Sequence, residues 1–324
     1  MNEINRRAFL KRSTAATIVG GLTISGVKTA KALGVKEKYA TLIDLSKCDG
    51  CKEYEKTKCM QACANKNSSQ YPEPIENIQP YWPQKEYEDW SDKRDLTTRL
   101  TPYNWIFVQR AIVEKEGVET EVFIPRRCMH CDNPPCAGTC PFGVVEKKAE
   151  GPVLIDREFC FGGAKCRDLC PWDIPQRQAG VGIYLKIAPK FAGGGVMYKC
   201  DFCYDLIKKG KNPSCVEQCP QGAMRFGLKE DLRNEAYTRA EQIRGFVYGD
   251  KENGGTSTFY ISPVSFSDLD KAIEKSKSIP GINPQVNNPN DAINNTAKSL
   301  FIAPIAGAFA AGIAVYRTMK GEEE

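Results

Sequence analysis

The stretch Cys200-Asp-Phe-Cys203, followed after eleven residues by Cys215-Val-Glu-Gln-Cys219-Pro220, governs how the rest of the chain is interpreted. Two cysteines separated by two residues can direct both thiolates at one small object from a single tight turn. In chains that hold two metal clusters, the cysteine before proline at the end of such a run ligates the other cluster rather than its own. The stretch therefore predicts a partner group of cysteines elsewhere in the sequence.

All fifteen cysteines of the 324-residue chain fall into four groups of this kind. The groups are Cys48, Cys51, Cys59 and Cys63; Cys128, Cys131, Cys136 and Cys140; Cys160, Cys166 and Cys170; and Cys200, Cys203, Cys215 and Cys219. An odd number of cysteines cannot all be paired, so a complete disulfide framework is excluded.

Each group alone is a weak signal, because Cys-x2-Cys also occurs in zinc sites, redox dithiols and disulfides. Three of the four groups end in Cys-Pro, at Cys140-Pro141, Cys170-Pro171 and Cys219-Pro220. This repetition favours iron–sulfur clusters and an electron-transfer protein. The alternative of another class is an exported binding protein stabilised by zinc or disulfides.

The third group departs from the bacterial ferredoxin spacing, Cys-x2-Cys-x2-Cys-x3-Cys-Pro. It reads Cys160-x2-Gly163-x2-Cys166-x3-Cys170-Pro171, with glycine where the second cysteine belongs. Glycine has no side chain and cannot bind iron, so the cluster fed by this group is predicted to have only three thiolates.

The N-terminus, residues 1–32, resembles a twin-arginine export signal. Arg6-Arg7 precedes a mild apolar run from Thr14 to Val27, and small residues at Ala30 and Ala32 suit cleavage. This segment holds six basic side chains and one acidic one, so the remainder carries 39 of each sign. A neutral mature chain gives no support to nucleic-acid binding.

The C-terminus predicts a membrane anchor at residues 300–316, which are uncharged and mostly apolar. Arg317 and Lys320 follow this run, and positive charge marks the cytoplasmic side of a membrane helix. The cysteine-rich part is therefore expected on the periplasmic side of the inner membrane, in agreement with the export signal.

The elements between these ends predict an α+β fold. Strands are expected at 38–44 and 223–227, hairpins at 105–125 and 144–156, a loop at 178–199 and a helix at 230–244. Residues 70–103, rich in proline and aromatic side chains, are expected to form an ordered insertion. The predicted divisions are a signal (1–32), a four-cluster domain (33–250), an extension and tether (251–298), a membrane helix (299–319) and a cytoplasmic tail (320–324).

The four groups, in this order and with these spacings, resemble the four-cluster electron-transfer subunits that serve molybdopterin oxidoreductases and periplasmic hydrogenases. The twin-arginine signal, the stretch 248–256 and the C-terminal apolar run resemble in particular the HybA-like, membrane-anchored subunits of hydrogenase-2-type complexes. The resemblance implies two bacterial-ferredoxin-like modules with inserted loops and hairpins, plus one transmembrane helix. It implies no catalysis by the chain itself.

The resemblance also implies partners. Electrons would pass between a hydrogenase small subunit and an integral membrane quinone-reactive subunit. The alternative partner is the catalytic subunit of a molybdopterin oxidoreductase or of a nitrite- or polysulfide-type reductase.

The resemblance further implies how the thiolates are shared, because the first group pairs with the fourth and the second with the third. Four sets of ligands result: Cys48, Cys51, Cys59 and Cys219; Cys63, Cys200, Cys203 and Cys215; Cys128, Cys131, Cys136 and Cys170; and Cys140, Cys160 and Cys166. Relatives that lack one cysteine of a set hold a three-iron cluster. Three [4Fe–4S] clusters and one [3Fe–4S] cluster are therefore expected.

Other side chains near the cysteines have open interpretations. His130, the only histidine, lies between two predicted ligands. It tunes the potential of a cluster, serves as a proton-coupled group, or packs beside the cluster. Trp172 is expected to pack over a cluster. The alternatives for five lysines are steering of a redox partner and a solvated face, and the solvated face is expected: Lys147, Lys148, Lys208, Lys209 and Lys211.

Overall fold

The computed structural model describes residues 37–80, 85–187 and 194–291. The chain divides into the units Met1–Lys38 and Tyr39–Glu324, and every element described below lies in the second. In the described part of the chain, no helix has the length and apolar character needed to span a bilayer. The predicted signal at 1–32 and the predicted membrane span at 300–316 lie outside these residues.

The strands are β1 (Tyr39–Asp44), β2 (Phe107–Lys115), β3 (Val118–Arg126), β4 (Val145–Lys147), β5 (Val153–Ile155), β6 (Gln176–Gln178), β7 (Val196–Tyr198), β8 (Met224–Leu228), β9 (Phe246–Tyr248) and β10 (Thr258–Ser262). The α-helices are α1 (Lys58–Asn67), α2 (Pro135–Gly138), α3 (Lys165–Asp168), α4 (Tyr184–Ile187), α5 (Tyr204–Ile207), α6 (Ser214–Glu217), α7 (Lys229–Gln242) and α8 (Phe266–Ala272). The predicted strands, hairpins and long helix are found within one or two residues of their expected bounds.

A four-stranded sheet in the order β8-β1-β10-β9 separates two layers. Successive side chains of a strand point to opposite faces, so β1 serves both layers. Ala40 and Leu42 pack with Leu232 and Ala236 of α7 on one face. Ile43 belongs to the larger core, which also contains most of the cysteines. One face of the sheet therefore packs against the core that contains the cysteine groups, and the other face packs against α7.

Antiparallel hairpins connect the cysteine groups in sequence. The β4–β5 hairpin joins the second group to the third, as the sequence predicts. The segment 178–199, expected to be a loop, instead begins and ends in the β6–β7 hairpin, where Gln176 pairs with Tyr198. The sequence predicts a loop here because three glycines, at 193–195, directly precede β7, and a strand of three residues is too short to show a strand pattern.

The segment 251–298 is expected to be an extension and tether, but its described part, residues 251–291, contributes to the sheet. Strand β10 pairs in parallel with β1 and antiparallel with β9, and all five of its residues are buried. Helix α8 follows it, with Phe266 and Leu269 buried. Residues beyond 250 are thus needed to complete the sheet that packs against the cysteine groups.

The insertion at 70–103 is tied to the third cysteine group in its described part. The carboxylate of Glu88 accepts two hydrogen bonds from Arg167, of 2.7 and 2.8 Å, and one of 2.8 Å from Arg177. The backbone carbonyl of Glu88 also accepts a hydrogen bond from the amide of Ala179. This anchoring agrees with the expectation of an ordered insertion.

Candidate iron–sulfur sites

The Cys48 set, comprising Cys48, Cys51, Cys59 and Cys219, lines a single small cavity. Helix α1 carries Cys59 in its first turn, while Cys48 and Cys51 follow the end of β1. Burial raises the pKa of Cys48 to about 11, and Cys219 and Cys51 add to the rise. Thiols from two segments distant in sequence therefore face the same space.

The Cys63 set, comprising Cys63, Cys200, Cys203 and Cys215, lines a second small cavity. Burial raises the pKa of Cys63 well above its ordinary value, and Cys200, Cys215 and Cys203 raise it further. The side-chain amide of Asn67 donates to the Cys63 carbonyl oxygen at 2.9 Å and to its Sγ at 3.4 Å. This site therefore has a hydrogen-bond donor directed at one of its sulfurs.

The Cys128 set, comprising Cys128, Cys131, Cys136 and Cys170, is also brought together. Burial, followed by the neighbouring Cys128, raises the pKa of Cys131 to about 12. Burial likewise raises the pKa of Cys170, and Cys131 and Cys136 contribute to that rise. The side-chain amide of Asn253 donates to Cys131 Sγ at 3.1 Å, so the stretch 248–256 contacts this site.

The Cys140 set has three members, Cys140, Cys160 and Cys166. Burial raises the pKa of Cys166, and the nearby Cys136, Cys160 and Cys140 reinforce the effect. Burial raises the pKa of Cys160 as well, with Cys140 again contributing. The set therefore adjoins the Cys128 set through Cys136.

Gly163 is the fourth residue of the turn 160–163. The backbone of the third residue of this turn resembles that of the third residue in the three Cys-x2-Cys turns, at 48–51, 128–131 and 200–203. This third residue is left-handed in every turn, with φ of 69° at Gly50, 52° at His130, 64° at Gly162 and 64° at Phe202. Gly163 itself has no left-handed φ, and a Cβ built on it meets no atom within 4 Å. The fourth position of this turn thus has room for a cysteine side chain, but glycine supplies no ligand there.

All fifteen thiols are free, and the described part of the chain brings no three His, Cys, Asp or Glu side chains close enough to share one metal ion. The thiols of the Cys48 and Cys63 sets instead line one small cavity each. Their raised pKa values mean that metal must displace protons to bind, because thiolate is the ligating form. Sulfur donors around such a space suit a cluster whose irons compensate the thiolate charge.

Two buried cations lie among the thiols. Arg127 donates from Nη1 to Cys200 Sγ at 3.7 Å and from Nη2 to the hydroxyl of Thr41. Lys199 donates to the carbonyl oxygen of Cys200 at 3.1 Å and to that of Val153. Their sequence signal is a basic residue directly before the first cysteine of a group, which reasoning from the cysteines alone overlooks.

His130 is fully buried and packs against Phe202, with ring centroids 4.6 Å apart and ring planes inclined at 35°. Its Nδ1 accepts a hydrogen bond of 3.0 Å from the amide of Val153. Burial lowers the pKa of His130 well below its ordinary value, and Lys199 and Arg127 lower it further. The ring is therefore packed beside the cysteines, and its burial favours the neutral form.

The expectation of a solvated face is wrong for Lys147. Its ammonium donates to the carbonyl oxygens of His130 at 3.0 Å and Cys131 at 2.8 Å, and burial lowers its pKa to about 8. Trp172 is buried as expected, and its Nε1 donates to the hydroxyl of Tyr248 at 2.7 Å. Both side chains hold the loops around the Cys128 set in place.

Two family models match the chain, both described as 4Fe-4S dicluster domains, at residues 47–144 and 119–229. Together they span all four cysteine groups.

Three similar proteins have informative names. A tetrathionate reductase component of Salmonella typhimurium is 30% identical, over 70% of this chain and 73% of its own length. The iron-sulfur subunit of the nitrate-inducible formate dehydrogenase of Escherichia coli is 27% identical, over 84% and 83%. Hydrogenase-2 operon protein HybA of Escherichia coli O157:H7 is 26% identical, over 82% and 83%. With its α+β ferredoxin-like modules and four convergent sets of thiols, the chain belongs to the family of iron–sulfur electron-transfer subunits shared by these oxidoreductase complexes.

Proposed function

We propose that this chain connects the small subunit of a periplasmic hydrogenase to an integral membrane, quinone-reactive subunit. The observation that carries the electron-transfer part is the convergence of all fifteen thiols into four neighbouring sets. The Cys140 set adjoins the Cys128 set through Cys136, and the Cys128 set adjoins the Cys63 set beside Lys199. Such an arrangement suits transport of electrons rather than a reaction on a substrate.

The Cys48, Cys63 and Cys128 sets would each hold a [4Fe–4S] cluster, and the three thiols of the Cys140 set would hold a [3Fe–4S] cluster. When bound, these groups would supply one-electron carriers. The chain itself supplies the thiolates, the amide donors Asn67 and Asn253, and the buried cations Arg127 and Lys199. Burial of most cysteines keeps water away from the sites.

The likeness to HybA over 82% of the chain supports the hydrogenase role. So do the twin-arginine pattern in residues 1–32 and the apolar run 300–316, which together suit a periplasmic domain with a C-terminal anchor. The second candidate is service to a molybdopterin oxidoreductase. The formate dehydrogenase and tetrathionate reductase relatives favour it, since they match the chain to a similar extent.

The test is to isolate the complex from native membranes through a tag placed after residue 324 and to identify its catalytic subunit by mass spectrometry. Under the main proposal, hydrogen bleaches the visible absorbance of the clusters in the complex, and formate and tetrathionate leave it unchanged. A molybdenum subunit in place of a nickel-containing one would establish the second candidate. A complex without iron would refute both.

A further inference from the structure

The turn 160–163 is held by contacts with the rest of the protein, although its fourth residue supplies no thiol. Gly162 is buried, and its carbonyl oxygen accepts a hydrogen bond of 3.0 Å from Arg177 Nη1. Arg177 also donates to a carboxylate oxygen of Glu88 at 2.8 Å. The backbone that leads into Gly163 is therefore fixed from within the fold.

Two further contacts hold the same turn. Phe161 stacks on Phe142, with ring centroids 4.6 Å apart and ring planes inclined at 21°. Phe142 follows Cys140 by two residues in the sequence, so the ring pair connects the turn to a loop that carries another thiol of the same set. A Cβ on Gly162 would meet the backbone of Gly195 at 2.6 Å, which shows how closely the two segments pack.

Gly163 forms an exposed edge of this well-held unit. Cys160 and Cys166 are only 5% and 7% exposed, whereas Gly163 is exposed and a Cβ built on it would meet no atom within 4 Å. In the other three turns the fourth position holds cysteines that are buried or half-buried: Cys51, Cys131 and Cys203. The Cys140 set is therefore the one of the four that can be approached from solvent at its fourth ligand position.

The acidic residue that follows Gly163 most closely in the sequence is Asp168. Its carboxylate is exposed and lies 3.3 Å from the ammonium of Lys165. This ion pair gives the carboxylate a partner on the surface. A ligand from solution is therefore favoured over Asp168 as the fourth donor.

We propose that the fourth position of the Cys140 set binds a thiophilic divalent metal ion from solution, with a small external thiol completing its coordination. A [3Fe–4S] cluster lacks one corner of the [4Fe–4S] cube, and its sulfides can bind a metal ion there. Sulfur donors suit iron and zinc, and zinc takes four ligands in a tetrahedron. Gly163 leaves room for the external ligand. This inference rests on the ligand sets of the proposed function.

Binding follows a one-electron reduction of the site. The added negative charge attracts a cation more strongly, and the electron comes from the electron-transfer role of the chain. No electron moves in the binding step itself. The metal ion exchanges bound water for sulfur, and the thiol releases its proton to solvent as it becomes the thiolate ligand.

The test is uptake of Zn²⁺ by the full-length iron-loaded protein, reduced with dithionite in the presence of 2-mercaptoethanol and then freed of unbound metal by gel filtration. The wild type is expected to retain a single zinc ion per chain by mass spectrometry, and one midpoint potential should shift in an EPR-monitored titration. Omitting the thiol should lower zinc retention. Gly163→Cys places a thiolate of the chain at this position and should abolish zinc retention.

Two further variants separate an external ligand from one supplied by the chain. Gly163→Leu adds a side chain without a metal-binding atom, so it should keep the three-iron EPR signal of the oxidised protein and lose zinc uptake. Asp168→Asn should take up zinc as the wild type does.

A three-iron wild type that retains no zinc would overturn the inference, as would equal retention in the wild type and Gly163→Cys. Uptake by Gly163→Leu at the wild-type level would also overturn it, because the ligand would then not approach past Gly163. Loss of uptake in Asp168→Asn would assign the fourth ligand to the chain itself and refute the external one. A wild type without the three-iron signal would instead refute the ligand sets of the proposed function.

Discussion

The imidazole ring of His130 lies 4.6 Å from the phenyl ring of Phe202, measured between ring centroids. Both residues occupy the third position of a Cys-x2-Cys turn, and both adopt a left-handed backbone, with φ of 52° and 64°. A left-handed backbone is costly for residues with a Cβ, so the packing of the two rings has to offset that cost. The two turns therefore support each other.

Replacing Phe202 by alanine is expected to destabilise the protein by ~3–5 kcal/mol, the usual range for removing a fully buried phenylalanine ring. Alanine keeps the backbone cost and loses the contacts with His130 and Arg127. The measurement is the thermal midpoint of the iron-loaded protein. Phe142→Ala is the control, because that ring is 55% exposed and its loss should change the midpoint little. Equal effects of the two substitutions would contradict the supporting role of the ring pair.

Asn253→Gly is expected to lower the reduction potential of the site held by the Cys128 set. Hydrogen bonds to cluster sulfurs influence the potential, and the Asn253 amide donates to Cys131 Sγ at 3.1 Å. Asn253 has φ of 56°, which glycine adopts without strain, so this substitution removes the donor and spares the backbone. The potential is read by redox titration followed by EPR.

Asn67→Ala serves as the matched comparison, because the Asn67 amide donates to Cys63 Sγ in the other module. The two substitutions should move different midpoints. If both move the same midpoint, or neither moves any, the hydrogen bonds to sulfur do not act as described.

Glu88→Gln is expected to destabilise the protein by ~3–5 kcal/mol at neutral pH, since it removes the negative charge that the buried Arg167 and Arg177 share. Burial raises the pKa of Glu88, but the hydrogen bond from Arg167 and the charge of Arg177 prevail and lower it to about 2. The folded pKa lies below the unfolded value, so the stability from this group is present above about pH 5 and is lost as pH falls toward 2. The thermal midpoint of the variant should therefore depend less on pH below 5 than that of the wild type.

Glu73→Gln is the control for this ion pair. Glu73 also forms two hydrogen bonds with an arginine, Arg94, and belongs to the same insertion, but the pair is exposed. Exposed pairs contribute little, so the thermal midpoint should hardly change. A larger loss in Glu73→Gln than in Glu88→Gln would show that the insertion is held by its exposed end.

The spacing of the cysteines predicted most of the fold around the sites, because a Cys-x2-Cys turn has few possible backbones and the strands beside it alternate clearly. The burial of Arg127 and Lys199 beside the cysteines could not be predicted from the sequence, for a physical reason. Arginine and lysine are rarely buried without a partner, so a sequence gives no ground for placing them inside. Only the folded chain reveals their partners, which are Cys200 Sγ and the Thr41 hydroxyl for Arg127 and two carbonyl oxygens for Lys199.

The role of β10 was equally hidden in the sequence. The strand follows closely on Asn253-Gly254-Gly255, a combination that predicts a turn. Its central position depends on pairing with β1, more than 200 residues earlier along the chain. Local composition carries no information on such a long-range pairing.

Gly163→Cys is expected to convert the three-thiol Cys140 set into a four-thiol site. The position accepts a side chain, since its Cβ would meet no atom within 4 Å and its φ is not left-handed. If the set holds a [3Fe–4S] cluster, the oxidised wild-type protein gives an EPR signal. The variant should lose this signal, gain iron and show a lower midpoint potential, because cluster type sets the potential.

Gly162→Cys tests whether the position within the turn matters, rather than the mere presence of another thiol. Its Cβ would meet the backbone of Gly195 at 2.6 Å, and its φ of 64° disfavours any side chain. This variant should therefore destabilise the turn and lose iron. A Gly163→Cys protein that keeps the oxidised signal unchanged would show that Gly163 does not occupy the fourth ligand position. A wild-type protein that is EPR-silent when oxidised yet fully loaded with iron would show that another group completes the site, because thiolates are not the only ligands that iron–sulfur clusters accept.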